Sequence, residues 1–293
     1  MRENRISLAC EATAIIGEGP LWVVREQRLY WLDLGAATIF RLDPATGRNE
    51  RVGARLDGYV GGMVERASGG FVLVDHRGAF HLDPMSGALA RLGKLAAAPH
   101  TVFNDAKCDR TGNLWTGTKH DGETDAIGSL FRLKIDLSSD TIDTGLVCAN
   151  GPAFSPDGRY AYFTDSPSFA VYRYAIDTRG NAVGPREIFA RTSKEEGEPD
   201  GMTVDAEGCL WVALWGGWRV RRYTPDGKVE RDVMLPVPQP TAPQFGGPEM
   251  TTIFVTSARR GLEGAALAAA PLSGSVFAVD TGVRGLVESR FIG

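Results

Sequence analysis

Short runs in which apolar and polar residues alternate recur along the chain, and they come in pairs. The pattern is clearest at residues 198–215, where two runs of about five residues flank a tight turn at residues 205–208. Two alternating runs joined by a glycine-bearing turn predict a β-hairpin. A polar residue followed by glycine, Asp200-Gly201, stands near the start of this hairpin.

This unit recurs six times at a spacing of roughly 43 to 50 residues, which lies in the range of propeller blades. A third run follows each hairpin and a weaker fourth fits before the next copy, whereas helical periodicity is nearly absent. A β-sandwich would not predict six copies of one opening signature. We therefore predict an all-β fold, a six-bladed β-propeller of four-stranded antiparallel blades, in a single domain over residues 1–293. The predicted copies open at Gly17, Gly61, Asn104, Asn150, Asp200 and Gly246.

The two ends of the chain and its composition add further expectations. Residues 5–10 are expected to pair into the last blade beside the C-terminal strand, since closure must hide the sheet edges. A formal net charge of -4 without a basic run argues against nucleic acid as a partner, and no apolar run suits a membrane span. Residues 1–5 lead into a strand-like segment rather than the apolar core of a signal peptide.

The cysteines lack a CxxC spacing, and we predict that all four are reduced core thiols of a cytoplasmic protein. The sequence leaves the oligomeric state open. The four are Cys10, Cys108, Cys148 and Cys209.

Polar residues stand where several of the predicted blades open. Because first strands line the channel of a propeller, Glu18, Asn150 and Asp200 are expected to converge at one mouth together with Asn104. The first three offer only oxygen ligands, which suit a hard divalent cation at an open site. Taken singly, an Asp or Asn before Gly is typical of a turn, but four polar residues at equivalent repeat positions indicate a site.

Other polar residues are assigned by their place in the repeat. The hairpin-turn aspartates Asp109, Asp157 and Asp205 are predicted to lie on the opposite face and to be structural. The ends of the second strands are expected to add polar groups to the face of the site, and these are Asp33, Asp75, His76, His120, Asp121, Asp165, Trp215 and Arg259.

The chain resembles the SMP-30/gluconolactonase family, also called regucalcin or senescence marker protein-30, which includes the luciferin-regenerating enzymes. The resemblance implies a six-bladed propeller with one catalytic divalent metal ion and lactone hydrolase activity. It implies Glu18, Asn150 and Asp200 as metal ligands, Asp200 also as general acid/base, and Asn104 as a substrate-binding residue. The matching segments span nearly the whole chain in the family's order: residues 17–22 (GEGPLW), 103–107 (FNDAK), 150–152 (NGP), 155–158 (SPDG), 199–202 (PDGM) and 245–248 (FGGP).

Within the family, residues 118–123 and 213–217 look most like bacterial sugar lactonases. Those enzymes hydrolyse aldonolactones such as xylono-, arabino-, galactono- or gluconolactone. The chain departs from the animal members at Val102, where they carry an arginine, and it lacks their substrate-contacting glutamate near Gly122. We therefore expect other groups, among them His120 and Asp121, to bind the hydroxyl groups of the lactone.

The substrate and mechanism follow as hypotheses. The polar groups left at the mouth are neutral or acidic, apart from Lys119 and Arg259 at the rim, so we expect a neutral aldonolactone rather than one with a second carboxylate. The metal, which could be Ca, Mn, Mg, Fe(II) or Zn, would polarise the lactone carbonyl while Asp200 activates a water. No GxSxG nucleophile elbow is present. The alternatives are a paraoxonase-like metal-dependent esterase and a non-enzymatic propeller that binds calcium or protein.

Overall fold

The alternating runs form antiparallel strands close to where the sequence predicts them. The computed structural model describes residues 5–53 and 56–293. Most of residues 1–5, which we compared above with a signal peptide, therefore lies outside the described residues. Apart from strands, the described chain has a 3₁₀ turn at Ser166–Ser168 and one short helix, α1, at Gly264–Ala269. None of its helices is long and apolar enough to cross a membrane.

In chain order the described strands are β1 (Arg5–Cys10), β2 (Gly17–Val23), β3 (Arg28–Asp33), β4 (Thr38–Asp43), β5 (Arg48–Val52), β6 (Val60–Glu65), β7 (Phe71–Asp75), β8 (Gly78–Leu82), β9 (Leu89–Leu92), β10 (Thr101–Cys108), β11 (Leu114–His120), β12 (Gly128–Leu133), β13 (Ser139–Leu146), β14 (Ala149–Phe154), β15 (Tyr160–Asp165), β16 (Ala170–Ile176), β17 (Ala182–Arg191), β18 (Glu198–Val204), β19 (Leu210–Trp215), β20 (Arg219–Tyr223), β21 (Val229–Met234), β22 (Pro240–Gly246), β23 (Thr252–Ser257) and β24 (Val276–Asp280).

These strands form six sheets, each of four antiparallel strands. Five sheets use consecutive strands, and the sixth has the order β1-β24-β23-β22, so the N-terminal segment closes the last blade. The predicted six-bladed β-propeller of four-stranded blades and the predicted pairing of residues 5–10 are confirmed. That the chain is a single domain stays a prediction.

The chain divides into two compact units of three blades each. The first unit, Met1–Arg55 with Thr192–Val287, holds the blades that begin at β2, β18 and β22. Within it β22 packs beside both β18 and β2. The second unit, Leu56–Arg191 with Glu288–Gly293, holds the blades that begin at β6, β10 and β14, and there β10 packs beside both β6 and β14.

A register shift interrupts the pairing of the first two strands in every blade. A β-bulge of this kind bends the strand and redirects a side chain, and bulges are common next to active sites. Glu18, Asn104 and Asn150 are each the last paired residue before a shift, and Asp200 lies inside one. The shifts fall between Glu18 and Leu21, Val60 and Gly62, Asn104 and Ala106, Asn150 and Ala153, Pro199 and Met202, and Pro240 and Pro243.

The sixth blade begins earlier than the sequence predicts. Strand β22 ends at Gly246, and Gly246-Gly247-Pro248 leads into the turn between β22 and β23 instead of opening the blade. Gly247 has a φ of 83°, a conformation that glycine adopts without strain. The prediction was wrong because a Gly-Gly-Pro run suits a tight turn as well as a strand opening. The residues at the bulge of this blade are Thr241 and Ala242.

The hairpin-turn aspartates have the structural role expected of them. Asp109 and Asp205 are almost completely buried, and each accepts backbone N–H bonds from its own turn. Asp157 accepts bonds from Ser155 Oγ and Arg159. All four cysteines are buried and form no disulfide within the described part of the chain, as predicted.

Candidate functional site

Asn104 and Asn150 are joined directly in the second unit. The first strands β10 and β14 carry them, and both side chains are more than nine-tenths buried. Asn104 Nδ2 donates to Asn150 Oδ1 at 2.5 Å and to the Ala149 carbonyl at 3.1 Å. The structure therefore brings together the predicted substrate-binding asparagine and one predicted metal ligand, which lie 46 residues apart in sequence.

Further hydrogen bonds fix the orientation of both amides. The Tyr59 hydroxyl donates to Asn104 Oδ1 at 2.8 Å, and Asn150 Nδ2 donates to Ser166 Oγ at 2.8 Å. Asn150 Nδ2 also lies 3.6 Å from Cys148 Sγ. We call Tyr59, Asn104, Asn150 and Ser166 the asparagine cluster. Tyr59 and Ser166 were not foreseen, since neither belongs to the opening signature of a blade.

A buried carboxyl group lies beside this cluster. Asp105 sits in the bulge of β10 with a φ of 50°, and its Oδ2 accepts a bond from the Gly151 N–H at 3.0 Å. Burial raises the pKa of Asp105 to about 6, although the positive charge of Lys107 and the Gly151 bond act in the opposite direction. The Asp105 carboxyl thus ties the bulge of β10 to the bulge of β14.

Lys119 also belongs to this region and is only 8% exposed, whereas the sequence predicts it at the rim. Its Nζ lies 2.7 Å from Glu123 Oε1 and 5.3 Å from the centre of the Tyr59 ring. Burial lowers the pKa of Lys119, but Tyr59, Cys148 and Glu123 raise it more, so the ammonium form is favoured. This burial could not be predicted from the sequence, because the groups around Lys119 come from three separate segments.

His120 and Asp121 lie in and beside the loop that follows β11. His120 Nδ1 accepts backbone bonds from Thr124 and Asp125, so this ring nitrogen is used to shape the loop. Asp121 is exposed, and its backbone N–H donates to the His100 carbonyl. The structure does not hydrogen-bond either side chain to the asparagine cluster, and their substrate contacts stay a prediction.

Glu18 and Asp200 belong to the first unit. Both are 6% exposed, and they lie on the first strands β2 and β18, at or inside the bulges. Glu18 Oε2 accepts a bond from the Gly19 N–H at 3.0 Å. A Cβ at position 201 would come within 2.6 Å of the Ala242 Cβ, so glycine after Asp200 lets β18 approach β22. Both carboxylates are thus held on bent strands within a packed interior.

The aspartates at the ends of the second strands have a more local role than expected. The Asp33 carboxylate accepts the N–H groups of Ile15 and Ile16, both at 3.2 Å. Asp165 Oδ1 does the same for Val147 and Cys148, at 3.0 and 2.9 Å. These carboxylates hold the segment that enters their own blade.

One other group has the composition of a metal site in the described part of the chain. Ligand atoms of Asp205, Glu207 and Cys209 lie within 4.8 Å of one another. Both carboxylates, however, pair with Arg222, at 2.8 and 2.5 Å. Burial raises the pKa of Cys209 to about 11, which keeps the thiol neutral. This group is an ion-pair network at a hairpin turn.

Comparisons with known proteins agree with the fold. A protein described as 6-deoxy-6-sulfogluconolactonase from Pseudomonas putida is 38% identical over 96% of both chains. An L-arabinolactonase from Azospirillum brasilense is 35% identical over 99% of this chain and 96% of its own. Among solved structures, a calcium-binding protein, regucalcin, from Agrobacterium tumefaciens superimposes with a TM-score of 0.92, at 28% identity over 97% of this chain and 96% of its own.

The family model supplies the assignment. The model of the SMP-30/Gluconolactonase/LRE-like region matches residues 16–259, which include all the predicted site residues from Glu18 to Asp200. On the strength of this match and of relatives that align over almost their whole length, the chain belongs to the SMP-30/gluconolactonase/LRE family.

Proposed function

We propose that this protein is a metal-dependent lactonase that hydrolyses neutral aldonolactones, such as xylono-, arabino-, galactono- or gluconolactone, to aldonic acids. The observation that carries the proposal is the buried pair Asn104–Asn150, in which the proposed substrate-binding amide is bonded to a proposed metal ligand. Two relatives that align over 96% or more of this chain are named for sugar lactones. Their names support a sugar lactone as the substrate, but 6-deoxy-6-sulfogluconolactone carries an anionic sulfonate, so the neutral charge of the substrate rests on the residues of this chain alone.

A divalent metal ion is part of the proposal, and the chemistry of the donor set fits it. Glu18, Asn150 and Asp200 would hold the ion, and all three offer oxygen atoms from side chains that are more than nine-tenths buried. Oxygen ligands suit Ca, Mn, Mg and Fe(II), and Zn also accepts them. When bound, such an ion supplies a Lewis acid for the carbonyl of the lactone.

Side chains of the protein would transfer the proton and position the substrate. Asp200 takes a proton from water as the water oxygen bonds to the carbonyl carbon, and it returns this proton to the ring oxygen as the C–O bond of the lactone breaks. The product is the open-chain hydroxy acid, so atoms and charge balance without any other reactant. Asn104, held by Tyr59, would keep a sugar oxygen in place during these steps.

The proposed function is tested with a panel of lactones and metals. Protein freed of metal with EDTA is assayed with a pH indicator on the four lactones named above and on an aryl ester, with Ca, Mn, Mg, Fe(II) or Zn added in turn. We expect hydrolysis of at least one aldonolactone and its loss without metal. Absence of lactone hydrolysis under every condition would refute the proposal, and a preference for the aryl ester would favour the esterase alternative.

A further inference from the structure

The register of β10 and β11 places a cation opposite Val102. Val102 pairs with Lys119, and two residues further on Asn104 pairs with Gly117. Directly paired residues project from the same face of a sheet, and so do residues two apart on one strand. Lys119 therefore shares a face of this blade with Asn104.

The surroundings of the Lys119 ammonium connect it to the asparagine cluster. The ammonium lies over the ring of Tyr59, whose hydroxyl donates to Asn104. A lysine ammonium has three N–H donors, and among the described residues the structure gives it one hydrogen-bond acceptor, Glu123. Two donors of a side chain that is only 8% exposed are thus available to a ligand beside Asn104.

We propose that Lys119 determines substrate specificity by donating a hydrogen bond to a hydroxyl oxygen of the lactone, next to the sugar oxygen held by Asn104. Glu123, as an acceptor 2.7 Å from the ammonium, takes the hydrogen of a hydroxyl in the same place. A lysine–glutamate pair offers both a donor and an acceptor with no net charge, which matches an uncharged polyol. This inference rests on the proposed function for the identity of the substrate as a lactone.

A purely structural role would have different consequences. Lys119 and Glu123 are four residues apart, and their ion pair could serve only to hold the loop that follows β11. Because Lys119 is buried, removing one partner of such a pair would lower the stability of the protein. If Lys119 only held the loop, its replacement would affect thermal stability and kcat. If Lys119 contacts a hydroxyl group of the substrate, its replacement would raise KM and weaken polyol binding.

The test compares Lys119→Met, which keeps the apolar stem, with Lys119→Arg, which keeps the charge. Lys134→Met is the matched control, because Lys134 pairs with a carboxylate of the same blade, Asp140, and lies outside the site. On the lactone that the wild type hydrolyses, Lys119→Met should lower kcat/KM by roughly ten- to a hundredfold, mainly through KM, which is the range for a hydrogen bond to a charged group. Lys119→Arg should retain more activity than Lys119→Met.

Titration with xylitol, an uncharged polyol that cannot be hydrolysed, separates this inference from the proposed function. The wild type and Lys134→Met should bind it more tightly than Lys119→Met, each with Mn²⁺ added. Equal affinities, no binding by the wild type, or a kcat/KM for Lys119→Met within twofold of Lys134→Met would overturn the inference. A fall in Tm with an unchanged KM would do the same. Wild-type protein that binds xylitol through Lys119 but hydrolyses no lactone would refute only the proposed function.

Discussion

The Asp205 carboxylate accepts a hydrogen bond from the indole N–H of Trp211 at 2.8 Å, six residues further along the chain. Asp109 and Trp115 make the same bond at the same length in another blade. In both hairpins the aspartate also accepts backbone bonds of its own turn, so one carboxylate fixes the turn and the core indole together.

Replacing Asp205 should destabilise the protein strongly. The carboxylate also pairs with the buried Arg222, and its removal would leave that guanidinium and the Trp211 N–H without their partner. We expect Asp205→Ala to lower the free energy of unfolding by about 3–5 kcal/mol, as for other broken buried pairs. Urea unfolding gives the value. Asp157, a half-exposed residue of another hairpin turn, provides the control, since Asp157→Ala should lower the free energy of unfolding by no more than about 1 kcal/mol. Equal losses of unfolding free energy in the two variants would contradict this account.

Removing either proposed carboxylate ligand should abolish metal-dependent lactone hydrolysis. Asp200→Asn removes the proposed general base and should lower kcat by about 10²- to 10⁴-fold, and Glu18→Gln should weaken binding of Mn²⁺ in a calorimetric titration. Glu207→Gln serves as the control in the same unit, because Glu207 pairs with Arg222 at a hairpin turn. Folded Asp200→Asn with wild-type turnover would show that the assignment is wrong.

The charge of Glu123 should set the preference between neutral and anionic lactones. The wild type is expected to show a higher kcat/KM for galactonolactone than for galactarolactone, whose second carboxylate is repelled by Glu123. Glu123→Gln should shift the ratio of the two toward galactarolactone by about fivefold or more, since one repulsive pair of charges is removed. If the wild type already prefers galactarolactone, this account is wrong, and Lys119 or Arg259 would be the group that binds the second carboxylate.

Asp105 should make stability fall as the pH rises. Its pKa is about 6 in the folded protein and its ordinary value is 3.8, so the unfolded chain releases this proton first. The folded state therefore loses stability between about pH 4 and pH 6, by roughly 3 kcal/mol at most. Asp105→Asn should remove this loss, which urea unfolding in EDTA at pH 4.5 and pH 7 would detect. A wild-type change between these pH values that persists unaltered in Asp105→Asn would exclude Asp105 as its source.

The thiols should resist modification until the protein unfolds. Burial raises the pKa of Cys209 to about 11 and also raises that of Cys10 and of Cys108. Since the thiolate is the reactive form, the native protein at pH 8 should react slowly with Ellman's reagent. Denatured protein without reductant should yield four thiols, and a smaller number that rises after reduction would reveal a disulfide.

The blade pattern can be recognised in the sequence because each strand and hairpin turn depends on residues that are neighbours along the chain. Alternation sets which face of a strand is buried, and residues such as Gly201 and Gly208 permit close approach or a tight turn. For the same reason the six blades, the closing pairing of residues 5–10 and the structural role of Asp109 could be predicted. The one misplaced blade opening, at Gly246, also has a local cause, because a Gly-Gly-Pro run permits both a turn and a bulge.

The contacts within the asparagine cluster were decided only by the tertiary structure. Asn104 and Asn150 carry the opening signature, but their bond depends on the way that β10 packs beside β14. Lys119 looked like an exposed rim residue, because nothing near it in sequence indicates that Tyr59 will cover it. A sequence pattern reports the partners of a residue within its own strand and turn, whereas burial and charge pairing depend on segments that meet only when the blades pack together.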